Sequence, residues 1–124
     1  MNVVDSSAWL EFLADGPNAG FFEPPLKDRA VLIVPSITIY EVFKVVCRQR
    51  GEDAALQAAA LMQQGRVIEL SPSLAMVAAK TSLDHALPMA DSIILATTRQ
   101  HNALLWTQDQ HFSSIPGVKY FPKA

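Results

Sequence analysis

The chain has 124 residues, half of them hydrophobic, and its 10 Lys and Arg against 12 Asp and Glu leave a net charge of −2. That length buries roughly two-thirds of the unfolded surface in one core, so one domain over residues 1–124 is expected, and the charge excludes a protein that coats nucleic acid electrostatically. A lone Cys47 in an apolar helical stretch excludes an internal disulfide and reads as a core thiol. With no basic-then-apolar leader and no apolar run of membrane-spanning length, a cytoplasmic protein is expected.

In chain order, Val3-Val4 is a short apolar strand that stops at Asp5. Ser6 and Ser7 offer a cap to a helix whose Trp9, Phe12 and Leu13 share one face. Asp15-Gly16-Pro17 is a turn, and a short helical or irregular piece through Phe21-Phe22 is closed by Pro24-Pro25. Residues 30–34 form a continuous apolar run, the pattern of a strand buried on both faces. Ser36 caps a helix to about Arg50, with Ile39, Val42, Phe43 and Val46 as its buried stripe and Gly51 as its stop.

The helix predicted over 53–64 is Ala-rich and apolar nearly all round, so it is either sandwiched inside the monomer or lies in a subunit contact. Gly65 ends it, residues 67–70 read as a third strand, and Ser71-Pro72 opens a helix with Leu74, Val77 and Ala78 inward. Leu87-Pro88 breaks that helix, and a last long one runs from Met89 to His101 with Ile93, Ile94 and Thr97 inward. Residues 104–107 are a fourth strand, Asp109 caps a turn, and 118–121 read as an edge strand. Strands alternating with helices, without hairpin signals, predict an α/β fold: a parallel sheet of four to five strands with helices on both faces.

Four carboxylates then fall near the carboxyl ends of strands, where open parallel sheets bind ligands. Asp5 follows the first strand, Glu41 lies about 7–8 Å along the second strand's helix, Asp91 is in the first turn after Pro88, and Asp109 follows the fourth strand. Singly, each has a plain reading as a cap, a first-turn acid or a partner of Lys44. Together they would repel one another unless a cation held them, and hard oxygen ligands suit Mg²⁺ or Mn²⁺ rather than zinc. Setting these four aside leaves 8 acids against 10 bases, a remainder of +2, with Lys44, Arg48, Lys80 and Arg99 as candidate phosphate contacts.

A strand ending in Asp5-Ser6-Ser7, an Ile39-Tyr40-Glu41 helix, an Ala90-Asp91-Ser92-Ile93 helix and a Thr107-Gln108-Asp109-Gln110-His111-Phe112 strand end resemble the PIN-domain ribonucleases, closest to the VapC-type toxins of bacterial toxin–antitoxin pairs. The resemblance covers the whole chain. It implies a three-layer α/β/α fold and a metal-dependent endoribonuclease leaving a 5′-phosphate and a 3′-hydroxyl. It implies Asp5, Glu41, Asp91 and Asp109 as acids that bind Mg²⁺ (or Mn²⁺), with Ser6 and Thr107 as supporting hydroxyls. It also implies an RNA substrate, a homodimer and a VapB-type antitoxin. Trp9, Phe12, Leu13, Phe21 and Phe22 are either core or the groove that receives that antitoxin.

Other readings of this edge lack their parts. No G-x-G-x-x-G or G-x-x-x-x-G-K-[ST] occurs, an Asp-x-Asp phosphatase would need an acid at Ser7, and a receiver domain would need one at Leu70-Ser71. His85, His101 and His111 have no zinc-like paired spacing and read as surface or half-buried side chains. The rival from another class is a non-catalytic PIN-like interaction module, for which a missing acid would be the mark.

Overall fold

The computed structural model describes residues 1–124. Its elements are β1 (Asn2–Val4), α1 (Ser6–Leu13), α2 (Ala19–Lys27), β2 (Leu32–Pro35), α3 (Ser36–Arg50), α4 (Glu52–Met62), β3 (Arg66–Ile68), α5 (Pro72–His85), α6 (Met89–Gln100), β4 (Leu104–Thr107) and β5 (Val118–Tyr120), with 3₁₀ turns at Arg29–Val31 and Gln110–Phe112. The five strands form one all-parallel sheet in the order β3-β2-β1-β4-β5. β1 is therefore central, pairing Val3 with Ile33 on one side and Val4 with Trp106 on the other.

Alternation along the short strands decides which layer each side chain joins. Val4, Leu32 and Val34 pack on one face with Trp9, Phe22, Val42, Ala55 and Met62 from α1 to α4. Val3, Ile33 and Leu105 pack on the other with Ile94, Leu95 and Phe112. α5 lies outside α6, joined through Leu74, Ala78, Ile93 and Ala96. The layers are α/β/α, as expected. Gly65 is required where α4 turns into β3, because a Cβ there would lie 2.9 Å from Val34 Cγ2 and 3.1 Å from the Leu32 carbonyl.

The structure corrects five local expectations. α2 does not close at Pro24-Pro25 but runs through both to Lys27. Each proline forfeits one backbone donor, and the helix persists because Phe22, Pro25 and Leu26 bury one face against the core. The second strand starts at Leu32, since residues 29–31 form a 3₁₀ turn, and the third ends at Ile68. α4 is covered on one side only: Ala55, Ala58, Ala59 and Met62 are buried while Leu56 and Ala60 face outward. Ala60 reads as apolar in the pattern but is small enough to sit in the open. Val77 likewise points outward, beside a buried Ala78.

Trp9 and Phe22 are core, at 2 % and 0 % exposure, while Phe21 is half exposed and stacks on Phe121 with centroids 4.6 Å apart. This removes Trp9 and Phe22 from any antitoxin groove. Trp9→Ala and Phe22→Ala should each lower unfolding free energy by about 3–5 kcal/mol. Urea denaturation measures this, and a loss under about 1 kcal/mol would return these rings to the surface role.

Candidate active site

The strand order reverses direction between β1 and β4, so the crevice beyond their carboxyl ends is the topological switch point where such sheets bind ligands. Asp5 and Thr107 lie at these two ends. α6 feeds β4 and so runs back across the sheet, which brings its first turn, with Asp91, to the same edge. α3 leaves that edge after β2 and carries Glu41 on its second turn.

Asp5 caps α1, its Oδ1 accepting from the Ala8 N–H at 3.0 Å and from Ser7 Oγ at 2.8 Å. Its Oδ2 accepts from Thr107 Oγ1 at 2.6 Å, and that hydroxyl oxygen in turn accepts the Asp109 N–H at 2.9 Å. The carboxylate is 1 % exposed; burial pushes it up to about 7 although the three donors pull the other way, and Asp109 adds to the rise. Asp91 is pushed up to about 6, first by burial, then by Asp109, with a smaller push from Glu41. Glu41 Oε1 accepts from Ser6 Oγ at 2.7 Å. The four acids thus share one field, and each expected hydroxyl, Ser6 and Thr107, touches one of them.

His111, expected as a surface or half-buried side chain without ligand partners, stands instead among the acids. Its Nδ1 lies 2.9 Å from Asp91 Oδ2 and 3.1 Å from Asp109 Oδ1, and Asp109 raises its pKa most. One ligand atom from each of Asp91, Asp109 and His111 falls within 4.8 Å of the others, so this trio could hold a metal ion. Searching for paired histidines cannot find such a residue. Its signal is the turn itself, where Asp109 Oδ1 accepts the His111 N–H at 2.9 Å and brings the ring back over the acids. His85 and His101 are not part of this trio. A buried amide pair also lay outside the sequence reading: Asn18 Nδ2 donates to Gln108 Oε1 at 3.1 Å and to the Pro122 carbonyl at 2.9 Å, tying the chain's end to the loop of Asp109.

With this geometry in view, the family comparison is decisive: the PIN-domain family model matches residues 3–118. The chain belongs to the PIN-domain family. No curated protein matches it. Among solved structures this PIN domain is similar to the VapC20 toxin of Mycobacterium tuberculosis, described as cleaving the sarcin–ricin loop, at 21 % identity and TM-score 0.82, covering 98 % of this chain and 100 % of that one. It is also similar to a chain of a Klebsiella pneumoniae toxin–antitoxin complex, at 23 % identity and TM-score 0.76 over 95 % of each. A chain of DNA-bound VapBC from Salmonella typhimurium aligns at 13 % identity and TM-score 0.74, covering 98 % of this chain and 96 % of that. These likenesses establish the fold.

The raised acids set the pH dependence of this PIN domain. In the folded protein Asp5 holds its proton up to about 7, whereas the unfolded chain releases it near 3.8. Between those values the folded state binds more protons, so its stability falls as pH rises. The contribution is complete below pH 3.8 and lost above about 7, on the order of 4 kcal/mol for Asp5, with Asp91 and His111 acting in the same direction. In EDTA, the melting temperature should drop between pH 5 and pH 8, and Asp5→Asn should flatten that drop. A parent protein equally stable at both ends of this range would refute the assignment.

Proposed function

We propose that this chain is a Mg²⁺-dependent endoribonuclease and the toxin of a toxin–antitoxin pair. What supports the reading is the trio Asp91, Asp109 and His111, whose ligand atoms lie within 4.8 Å of one another in a PIN fold, with Asp5 coupled electrostatically to Asp109 and Glu41 to Asp91. The carboxylate oxygens are hard donors in a shared repulsive field, which fits Mg²⁺, or Mn²⁺ in its place, held by these four acids. Bound there, the ion would neutralise the carboxylates, lower the pKa of a water and stabilise charge on the attacked phosphate. The chain's own groups prepare the site. Thr107 and Ser7 fix the Asp5 carboxylate, and Thr107 also fixes the backbone of Asp109. Ser6 aims Glu41. His111 balances Asp91 and Asp109, and its half-exposed ring stands beside them to hold or release a proton.

The partner follows from the same reading. Toxin–antitoxin complexes among the similar structures support an antitoxin as partner. With Trp9 and Phe22 buried, its docking surface moves to a cavity of about 690 Å³ between α1, α3 and α4, lined in part by Leu10, Leu13, Ala54 and Leu61. That cavity reaches Ser7 and Gln108, the neighbours of Asp5 and Asp109, so a bound segment would end at the acids. The proposed homodimer also changes place, from α4 to α5. Met76, Val77 and Leu83, the last 85 % exposed, line α5's outer side, and Met89 follows at the start of α6.

Purified protein incubated with total RNA tests the activity. Cleavage should require Mg²⁺ and stop in EDTA, and Asp91→Ala or Glu41→Gln should slow it on the order of 10²-fold or more while circular dichroism stays unchanged. Cleavage that survives EDTA overturns the metal reading, and a well-folded protein that cleaves nothing favours the interaction module. For the dimer, analytical ultracentrifugation of the free protein should give a dimer that Leu83→Glu dissociates. A monomeric parent, or a dimer that Leu56→Glu breaks instead, removes α5 from that role.

A further inference from the structure

Of the four basic residues that sequence alone offered as phosphate contacts, the structure commits two elsewhere. Lys80 pairs with Asp84 at 3.8 Å, one turn along α5. Arg99 Nη1 lies 3.1 Å from His85 Nε2. Lys44 and Arg48 remain, and neither has a carboxylate within ion-pair distance. Both are exposed on α3, four residues apart, and the residue four before Lys44 is Tyr40, 61 % exposed. The three make one column about 12 Å long on a helix that also carries Glu41. Lys44 Nζ rests 5.8 Å from the Tyr40 ring centroid. Beside this column Ile39, Phe43 and Cys47 complete a shallow apolar trough.

The Tyr40 ring stands in water one residue before an acid of the site. We propose that Tyr40, Lys44 and Arg48 form a track for the single-stranded RNA that flanks the scissile phosphate, a reading that rests on the proposed nuclease function. A base stacks on Tyr40, a contact open to any base because each has a π-face. Lys44 and Arg48 then neutralise successive phosphates leading away from Glu41. Charge complementarity selects this occupant: the column is cationic and carries no acid, so it attracts a polyanion that the acid cluster alone would repel. Duplex RNA keeps its bases stacked inside and offers none to Tyr40, so the track favours single strands, loops and ends.

Fluorescence anisotropy with a short labelled oligouridine, in EDTA so that nothing is cut, reads this track apart from catalysis. Lys44→Ala and Arg48→Ala should each reduce the slope of log affinity against log salt by about 0.7, and the double variant by about 1.4. Tyr40→Leu should weaken binding on the order of 10-fold with the slope unchanged, and Tyr40→Phe should restore it. Lys80→Ala and Arg99→Ala are controls that should alter neither. The track is overturned if the parent fails to bind the oligouridine, if the Lys44 and Arg48 slopes equal the parent's, or if Tyr40→Phe binds as poorly as Tyr40→Leu. It is also overturned if these variants change the sedimentation of the protein and not its RNA binding, since the face is then a contact with a second copy. The nuclease reading fails separately, when the parent leaves total RNA uncut in Mg²⁺.

Discussion

A carboxylate buried at the junction of β1 and β4 is the constraint on which this structure depends. Asp5 is 1 % exposed, and an unpaired charge in that position would cost several kcal/mol. The fold answers with three donors from two elements: Ser7 and the Ala8 N–H from α1, and Thr107 from β4. Each requirement fixes backbone. The α1 donors set where that helix begins, and the Thr107 hydroxyl holds β4 in the register that pairs Val4 with Trp106. The same hydroxyl oxygen then receives the Asp109 N–H, so the loop beyond β4 is anchored through the atom that anchors Asp5. Hydrogen bonding reduces the cost of burial without cancelling it, and the residual strain appears as the raised proton affinity of Asp5.

That residual strain extends outward through the other acids. Asp91 and Asp109 lie close enough to share the His111 ring, and the histidine does for the pair what a cation does for carboxylates generally. A pocket that recruits its own imidazole to balance two acids is organised around positive charge. The chain's net charge of −2 conceals this arrangement, because four of its 12 acids are concentrated in one place and the remaining surface is mildly basic.

How far the chain could be read in advance depended on what each signal measures. Parallel α/β order and the acid edge were legible, because Asp5 directly follows and Asp109 closely follows a short strand with an apolar run, and Asp91 follows a proline that starts a helix. His111 was not, since its role comes from a 3₁₀ turn that folds the ring back, and no residue periodicity encodes that. Pro24-Pro25 misled because proline's local cost is visible in sequence whereas the burial of Phe22 and Leu26 that outweighs it is a tertiary fact. Alanine misled along α4 for the opposite reason. It counts as apolar in any pattern, yet Ala60 stands exposed at little cost. Val77 shows a third limit: next to Ala78 on a helix, periodicity alone leaves open which neighbour turns inward.

α3 joins the two charge regimes, and its own energetics explain part of the join. Arg48 and Arg50 stand in its last turn, a placement that the helix dipole favours by about 0.3–1 kcal/mol per charge whether or not anything binds, while Glu41 lies beyond its first turn. The dipole therefore accounts for Arg48 and Arg50 as helix stabilisers. It does not account for Lys44, which is too far from the helix end to gain from it, nor for an exposed Tyr40 in the adjoining turn. Those two side chains cover each other, and that contact is worth only about 0.5–1 kcal/mol at an exposed site, a weak return for leaving a large ring in water. What stability fails to explain is an aromatic ring and a free cation within three residues of Glu41 on one helix, and the proposed contact with a nucleic-acid strand would use both of them at once.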